Sequence, residues 1–184
     1  MVSKSRFEEL VIPHMQAAFN FAYWIVRSRE DAEDVVQDAY VRAFRAFSDL
    51  RGESVKPWLL AIVRNVAYRA LQNRRRGGNV ILFSEDLKGR DREDAGEMAD
   101  PEPSAESLLI ASGERQQLVS ALGELTGDYR EVIVLRELEG LSYNEIAHAI
   151  DAPVGTVMSR LSRGRAELRE ALARRIAKDE PDAM

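Results

Sequence analysis

Between Leu141 and Leu172 the residue types and their spacing suit the reading of a nucleic acid. Ser142 is followed three residues later by Glu145, the reciprocal pair that satisfies two orphan N–H groups at a helix start. Tyr143, Ile146, Ala147 and Ile150 then recur at helical spacing. Asp151-Ala152-Pro153 must end that helix, because proline cannot continue it and pushes Ala152 away from the α region. Gly155-Thr156 opens the next helix, with an expected buried stripe of Val157, Leu161, Leu168, Leu172 and Ile176. Thr156, Ser159, Arg160 and Arg163 fall on the other side, near its N-terminal end, where hydroxyl and guanidinium groups meet base edges and phosphates. The pattern is that of a helix-turn-helix. A solvated basic face on a bundle helix is the competing reading, and the coincidence of capping box, turn and one-sided arginines favours DNA.

A second group lies on a predicted helix over 55–75. Asn65, Tyr68, Arg69, Gln72 and Arg76 line up beside Arg64 and Arg75. Arginines for phosphates, an amide for a base edge and an aromatic for stacking are what single-stranded or opening DNA requires. Trp58 belongs with Leu59, Ile62, Val66 and Ala70 in an apolar stripe, so it is expected in the core rather than as a stacking platform. Arg74-Arg75-Arg76 also has a plainer reading, a solvated helix end favoured by the helix dipole. A third group sits on a predicted helix over 31–47. There Ala32, Val35, Val36, Ala39, Tyr40, Ala43, Phe44 and Phe47 form a complete core-facing stripe. The opposite face holds Asp34, Gln37, Asp38, Val41, Arg42 and Arg45. Such a patch could receive a basic partner helix or could simply be solvated, and spacing alone leaves both open.

The elements that must position these groups are all helices, predicted over 6–27, 31–47, 55–75, 104–122, 128–138, 143–150 and 156–177. No segment sustains the apolar–polar alternation of a strand. The fold class is therefore all-α: two small helical domains joined by a flexible acidic linker, the second carrying the helix-turn-helix. The expected divisions are 1–76, a linker over 77–103, 104–178, and a tail over 179–184. Gly77-Gly78 ends the first domain, and the acidic stretch that follows carries Gly89, Gly96, Pro101 and Pro103. Val80-Ile81-Leu82-Phe83 is an apolar patch in it that either packs on a domain or docks in a partner groove. Asp91, Glu93, Gly96 and Glu102 mimic a calcium loop, but Ala95 fills a ligand position and the flanking prolines deny the exiting helix, so no calcium is expected.

Composition narrows the class. Cysteine is absent and the two histidines, His14 and His148, lie far apart without ligand neighbours, so no metal, cofactor or catalytic site is expected and the chain does not read as an enzyme. The run Ala17 to Val26, interrupted by Asn20, is too short to span a bilayer, which points to a cytoplasmic protein without membrane insertion. A net charge of −5 is unusual for a free-standing DNA binder. Its distribution matters more: acid from Glu30 to Asp38, base from Arg51 to Arg76, acid again from Glu85 to Glu106, and base from Arg160 onward.

Three segments carry a family resemblance. Asp31-Ala32-Glu33-Asp34-Val35-Val36-Gln37-Asp38, then Trp58-Leu59-Leu60-Ala61-Ile62-Val63-Arg64-Asn65, then Val154-Gly155-Thr156-Val157 with Ser159-Arg160-Leu161 resemble the sigma factors of bacterial RNA polymerase. The closest group is the short extracytoplasmic-function class, which retains only domains two and four. The resemblance implies that Asp34, Gln37, Asp38 and Val41 dock on the clamp helices of the beta-prime subunit. It implies −10 recognition by Arg64, Asn65, Tyr68, Arg69, Arg75 and Arg76, with Asn65 holding a flipped non-template base. It implies −35 reading by Thr156, Ser159, Arg160 and Arg163, and contact of Tyr129, Val132 and Leu135 with the flap of the beta subunit. It also implies an anti-sigma factor as a partner, beside core polymerase and promoter DNA. Met158 stands where a base is frequent in the family, Arg69 where an acid is common, and Gly164 where alanine is usual, the last costing ~1 kcal/mol of helix propensity. A stand-alone helix-turn-helix regulator is the rival; it would bind a symmetric duplex operator unaided and would leave the arginine-bearing helix without a task. A protein-only adaptor would leave both basic faces unexplained.

Overall fold

The computed structural model describes residues 4–50, 54–76 and 105–179, excluding the side chains of 49, 75–76, 105–112 and 178–179. Among the described residues every regular element is helical. The linker, its apolar patch at Val80–Phe83, the calcium-loop mimic and the side chains of Arg75 and Arg76 lie outside that description.

The first module begins with α1 (Lys4–Val11), a 3-10 turn (Ile12–His14) and α2 (Met15–Val26). One helix was expected over 6–27. Pro13 breaks it, since its ring displaces the preceding carbonyl and it has no N–H to give. α2 closes on Arg27 in the left-handed conformation (φ 59°), its N–H donating to the Tyr23 carbonyl at 2.7 Å. The Arg27 guanidinium lies 4.9 Å from the Trp24 ring, a stacking contact that helps hold this unfavoured backbone. α3 (Arg29–Ala46) starts two residues before the expected point because Ser28 caps it, its hydroxyl accepting from the Asp31 N–H. A 3-10 turn (Phe47–Asp49) ends it, and α4 (Val55–Arg76) then packs against both α2 and α3. Phe7 meets the rings of Phe44 and Phe47 edge-on at 5.1 and 5.3 Å. The Tyr40 hydroxyl donates to the Val11 carbonyl at 3.1 Å, and burial pushes that phenol up to about 12. Phe44, expected in the core stripe, is one of the exposed large apolar residues.

The second module comprises α5 (Ala105–Glu124), α6 (Gly127–Ile133), a π turn (Val134–Leu138), α7 (Tyr143–Ile150) and α8 (Val154–Asp179). The single helix expected over 128–138 is thus split. Widening at Val134 lets the Glu139 N–H reach the Val134 carbonyl, and the Leu141 N–H then bonds to the Leu135 carbonyl, which turns the chain into α7. Arg130 ties off α5: its guanidinium donates to the carbonyls of Leu122, Gly123 and Leu125, the negative end of that helix. Val132 and Leu135 are wholly enclosed in this core, while Tyr129 packs against it and stays half-buried.

The expected stripe on α8 holds for Val157 and Leu161, weakens at Leu168 and Leu172, and fails at Ile176, which is 52% exposed. Gly164 has a packing reason. A Cβ there would stand 3.1 Å from Ile133 Cγ1 and 3.2 Å from Tyr129 Cβ, so its absence lets α8 lie close on α6. Gly164→Val should therefore lower stability by ~1–3 kcal/mol through overpacking, read as a lower urea midpoint with unchanged slope.

Candidate nucleic-acid and polymerase interface

The helix-turn-helix is built as its sequence requires. The Glu145 N–H donates to Ser142 Oγ at 3.2 Å and the Ser142 N–H to Glu145 Oε2 at 2.8 Å, a closed capping box at the start of α7. Asp151 takes the left-handed conformation at its end (φ 50°), and the Ala152 N–H returns to the Ala147 carbonyl at 3.0 Å. Pro153 then accepts from the Thr156 and Val157 N–H groups and starts α8 at Val154, two residues ahead of expectation. Ser159 and Arg163 are exposed and Thr156 is half-buried. Ser159 donates to the Thr156 carbonyl at 3.0 Å. Arg160 is different: its guanidinium pairs with Asp128 at 2.8 Å and its side chain is only 26% exposed.

On α4 the expected −10 residues divide between two faces. Asn65 and Arg69 are exposed and, with Gln72 and Tyr68, line an open cleft of about 560 Å³ whose far side is Arg42 and Ala46 of α3. Arg42, which spacing had placed only on the acidic face of α3, therefore belongs to this cleft as well. Arg64 is turned roughly 100° from Asn65 around the helix. It faces the second module, where its guanidinium donates to Glu131 at 2.6 and 3.3 Å. Glu131 is the one buried charged residue among those described, a sequence position on α6 that no pattern singled out. Burial pushes the Glu131 carboxyl up against the pull of Arg64. Burial also opposes the Arg64 charge, but the bond to Glu131 outweighs it and holds that guanidinium above its ordinary value. The Arg64 guanidinium stands 4.8 Å from the Tyr68 ring, and burial raises that phenol to about 12, so Tyr68 is a neutral donor and stacking surface. Arg74 is paired with Asp31 of α3.

The third group is open. Asp34, Gln37 and Asp38 are exposed on α3, and Val41 is 49% exposed beside them. Asp38 pairs with Arg42 at 2.9 Å one turn on, a surface contact of little energetic weight. Among the described residues no helix is long and apolar enough to cross a membrane.

Comparison with known proteins joins these faces to a family. Sigma-70 region 2 matches residues 10–77, and Sigma-70 region 4 matches residues 115–168. An ECF RNA polymerase sigma-E factor of Haemophilus influenzae is 38% identical over 140 residues, covering 75% of this chain and 72% of that protein. The chain belongs to the ECF sigma factors of RNA polymerase. The ECF RNA polymerase sigma factor SigE of Mycolicibacterium smegmatis is 33% identical over 91% of this chain, which spans 62% of that longer relative. The sigma factor RpoE of Bartonella quintana, solved in complex with the anti-sigma factor NepR, shares 28% identity and superposes with a TM-score of 0.68, covering 91% of this chain and 97% of that one.

The Arg64–Glu131 pair carries an asymmetry that can be measured. The Glu131 side chain is 1% exposed and that of Arg64 21%, so the arginine can swing toward water and the carboxylate cannot. Arg64→Met should cost about 3 kcal/mol by stranding the carboxylate, and Glu131→Gln distinctly less. Urea denaturation of both variants checks this, and equal losses would contradict it.

Proposed function

We propose that this sigma factor directs core RNA polymerase to specific promoters and assists their opening, as a non-catalytic specificity subunit of the cytoplasm. Residues 1–76 would bind core enzyme and the −10 element, 77–103 would connect, and 104–178 would read the −35 element. The observation that carries the reading is the joint exposure of Asp34, Gln37, Asp38 and Val41 on the face of α3 opposite its core stripe. A small acidic and apolar patch suits a basic helix of the beta-prime subunit. Asn65, Tyr68 and Arg69 at the cleft suit a base taken out of the stack and the phosphates beside it; Arg64, Arg75 and Arg76 of the same helix complete the proposed −10 set. Thr156, Ser159, Arg160 and Arg163 at the start of α8 suit the major groove at −35.

The net acidity of the chain is no obstacle, because the polymerase supplies most of the charge that meets DNA and two local basic faces suffice. Holding two modest DNA modules on one enzyme raises their effective concentration, provided the connection spans both elements. The beta subunit would receive the second module through surface other than Val132 and Leu135. Restraint by an anti-sigma factor is part of the proposal, in analogy to the complex of the Bartonella relative.

Transcription by purified core polymerase with this chain added, on a genomic fragment library, tests the reading: starts at defined promoters are expected, and their absence would overturn it. Two variants sharpen it. Asp38→Lys should abolish co-purification with core enzyme while leaving the helical content intact, as read by circular dichroism. Arg160→Ala should weaken −35 discrimination by ~1–3 kcal/mol, measured as the ratio of initiation on matched and mismatched promoters.

A further inference from the structure

The outer face of α8 offers a groove a mixture of small, cationic and apolar groups. Over residues 154–163 the exposed positions are Gly155, Met158, Ser159, Ser162 and Arg163. At 100° per residue they span an arc of about 140°, with Met158 at one edge, Arg163 at the other and the small residues between. Val157 and Leu161, at the back of the helix, are buried in the core of the second module. Arg160, expected on the outer face, is held by Asp128 at 2.8 Å. Ser159 gives its hydroxyl proton to the Thr156 carbonyl, so it meets a base as an acceptor. The long side chains left to reach outward from this arc are one guanidinium and one thioether.

Met158 is 53% exposed, the most of any large apolar residue among those described. Its neighbours one turn away, Gly155 and Ser162, are too short to cover it, and a Cβ added at Gly155 would meet nothing within 4 Å. A thioether is neither a cation nor a donor, so it has no bond to make with a phosphate. It gains only by leaving water against another apolar group. The major groove displays one alkyl group, the C5-methyl of thymine. Small residues in the middle of the arc let the helix backbone sit deep, which brings the edge at Met158 within reach of base edges. The unbranched, polarizable side chain of methionine then adapts to a methyl without demanding one fixed geometry.

We infer that Met158 is a specificity-determining residue of this chain: it packs on the C5-methyl of a thymine in the −35 element, while Arg163, at the other edge of the same arc, makes the polar contact. The inference rests on the functional reading above. It gives −35 selectivity an apolar component that is separable from hydrogen bonding. A cytosine in place of that thymine presents an amino donor and no methyl, so it forfeits the contact. Burial of one methyl group corresponds to about fourfold in binding.

Deoxyuridine in place of thymidine removes the methyl and leaves every hydrogen-bonding group where it was. On a promoter recovered from the genomic library, each thymine of the −35 element, on either strand, is replaced singly by uracil. Initiation by core polymerase with the full chain is then measured at subsaturating protein. The wild-type chain should lose about fourfold at one position, or at two adjacent ones, and little at the rest. Met158→Ala and Met158→Lys should show no loss on the same replacement. Ile176→Ala, which removes a similarly exposed apolar group near the far end of α8, should keep the wild-type loss. A wild-type chain indifferent to every methyl would overturn the inference. So would a Met158→Ala chain that keeps the methyl dependence, or an Ile176→Ala chain that lacks it. Failure of the functional reading would show separately, as no promoter-specific initiation by the wild-type chain on unmodified DNA.

Discussion

Glu131 is a carboxylate taken out of water on α6, and the packing of one module on the other answers to it. Desolvating such a charge costs several kcal/mol unless a partner and hydrogen bonds come with it. Its partner comes from the other module: Arg64, on α4, supplies two bonds and is itself half-buried in consequence. The two modules therefore share an ion pair that neither can satisfy alone in this geometry. Around it the remaining cross-links are polar as well, Lys56 to Glu139 and Arg130 to the Trp24 carbonyl.

Inside each module the forces are more ordinary. Aromatic edges from Phe7 onto Phe44 and Phe47, and Leu59 among α2, α3 and α4, hold the first helices together. The second depends on helix ends. Arg130 collects three carbonyls at the end of α5, the capping box starts α7, and a π turn bends the chain between α6 and α7. Gly164 then lets α8 lie near enough to α6 for Arg160 to meet Asp128. What looked like a loss of helix propensity is a close approach of α8 to α6.

The functional surfaces differ in how they are held. The acidic patch on α3 is exposed and borne on a helix capped by Ser28, so it is ready for a partner as it stands. The cleft between α3 and α4 is open too, with Asn65 and Arg69 at its wall. Arg64 and Arg160 are engaged. The same residue type, on neighbouring turns of one helix, is thus available at Arg69 and occupied at Arg64.

How much of this could be read beforehand depends on range. The capping box at Ser142, the stop at Pro153, the core stripe of α3 and the presence of Arg64, Asn65, Arg160 and Arg163 on helices are local facts, set by hydrogen-bonding needs and by the 3.6-residue period, and residue order alone determined them. Helix limits shifted by small amounts where a cap or a proline acts: Ser28, Pro13 and Val154. Residue order could not say that Leu60, Val63, Ala67 and Glu131 are buried, or that Phe44 and Ile176 are not. Those outcomes depend on which helices meet across more than sixty residues of chain, as Arg64 and Glu131 do. A one-dimensional pattern records which face of a helix is apolar; only the assembled tertiary structure decides what covers it, and here it decided that two of the expected DNA contacts are spent on the chain itself.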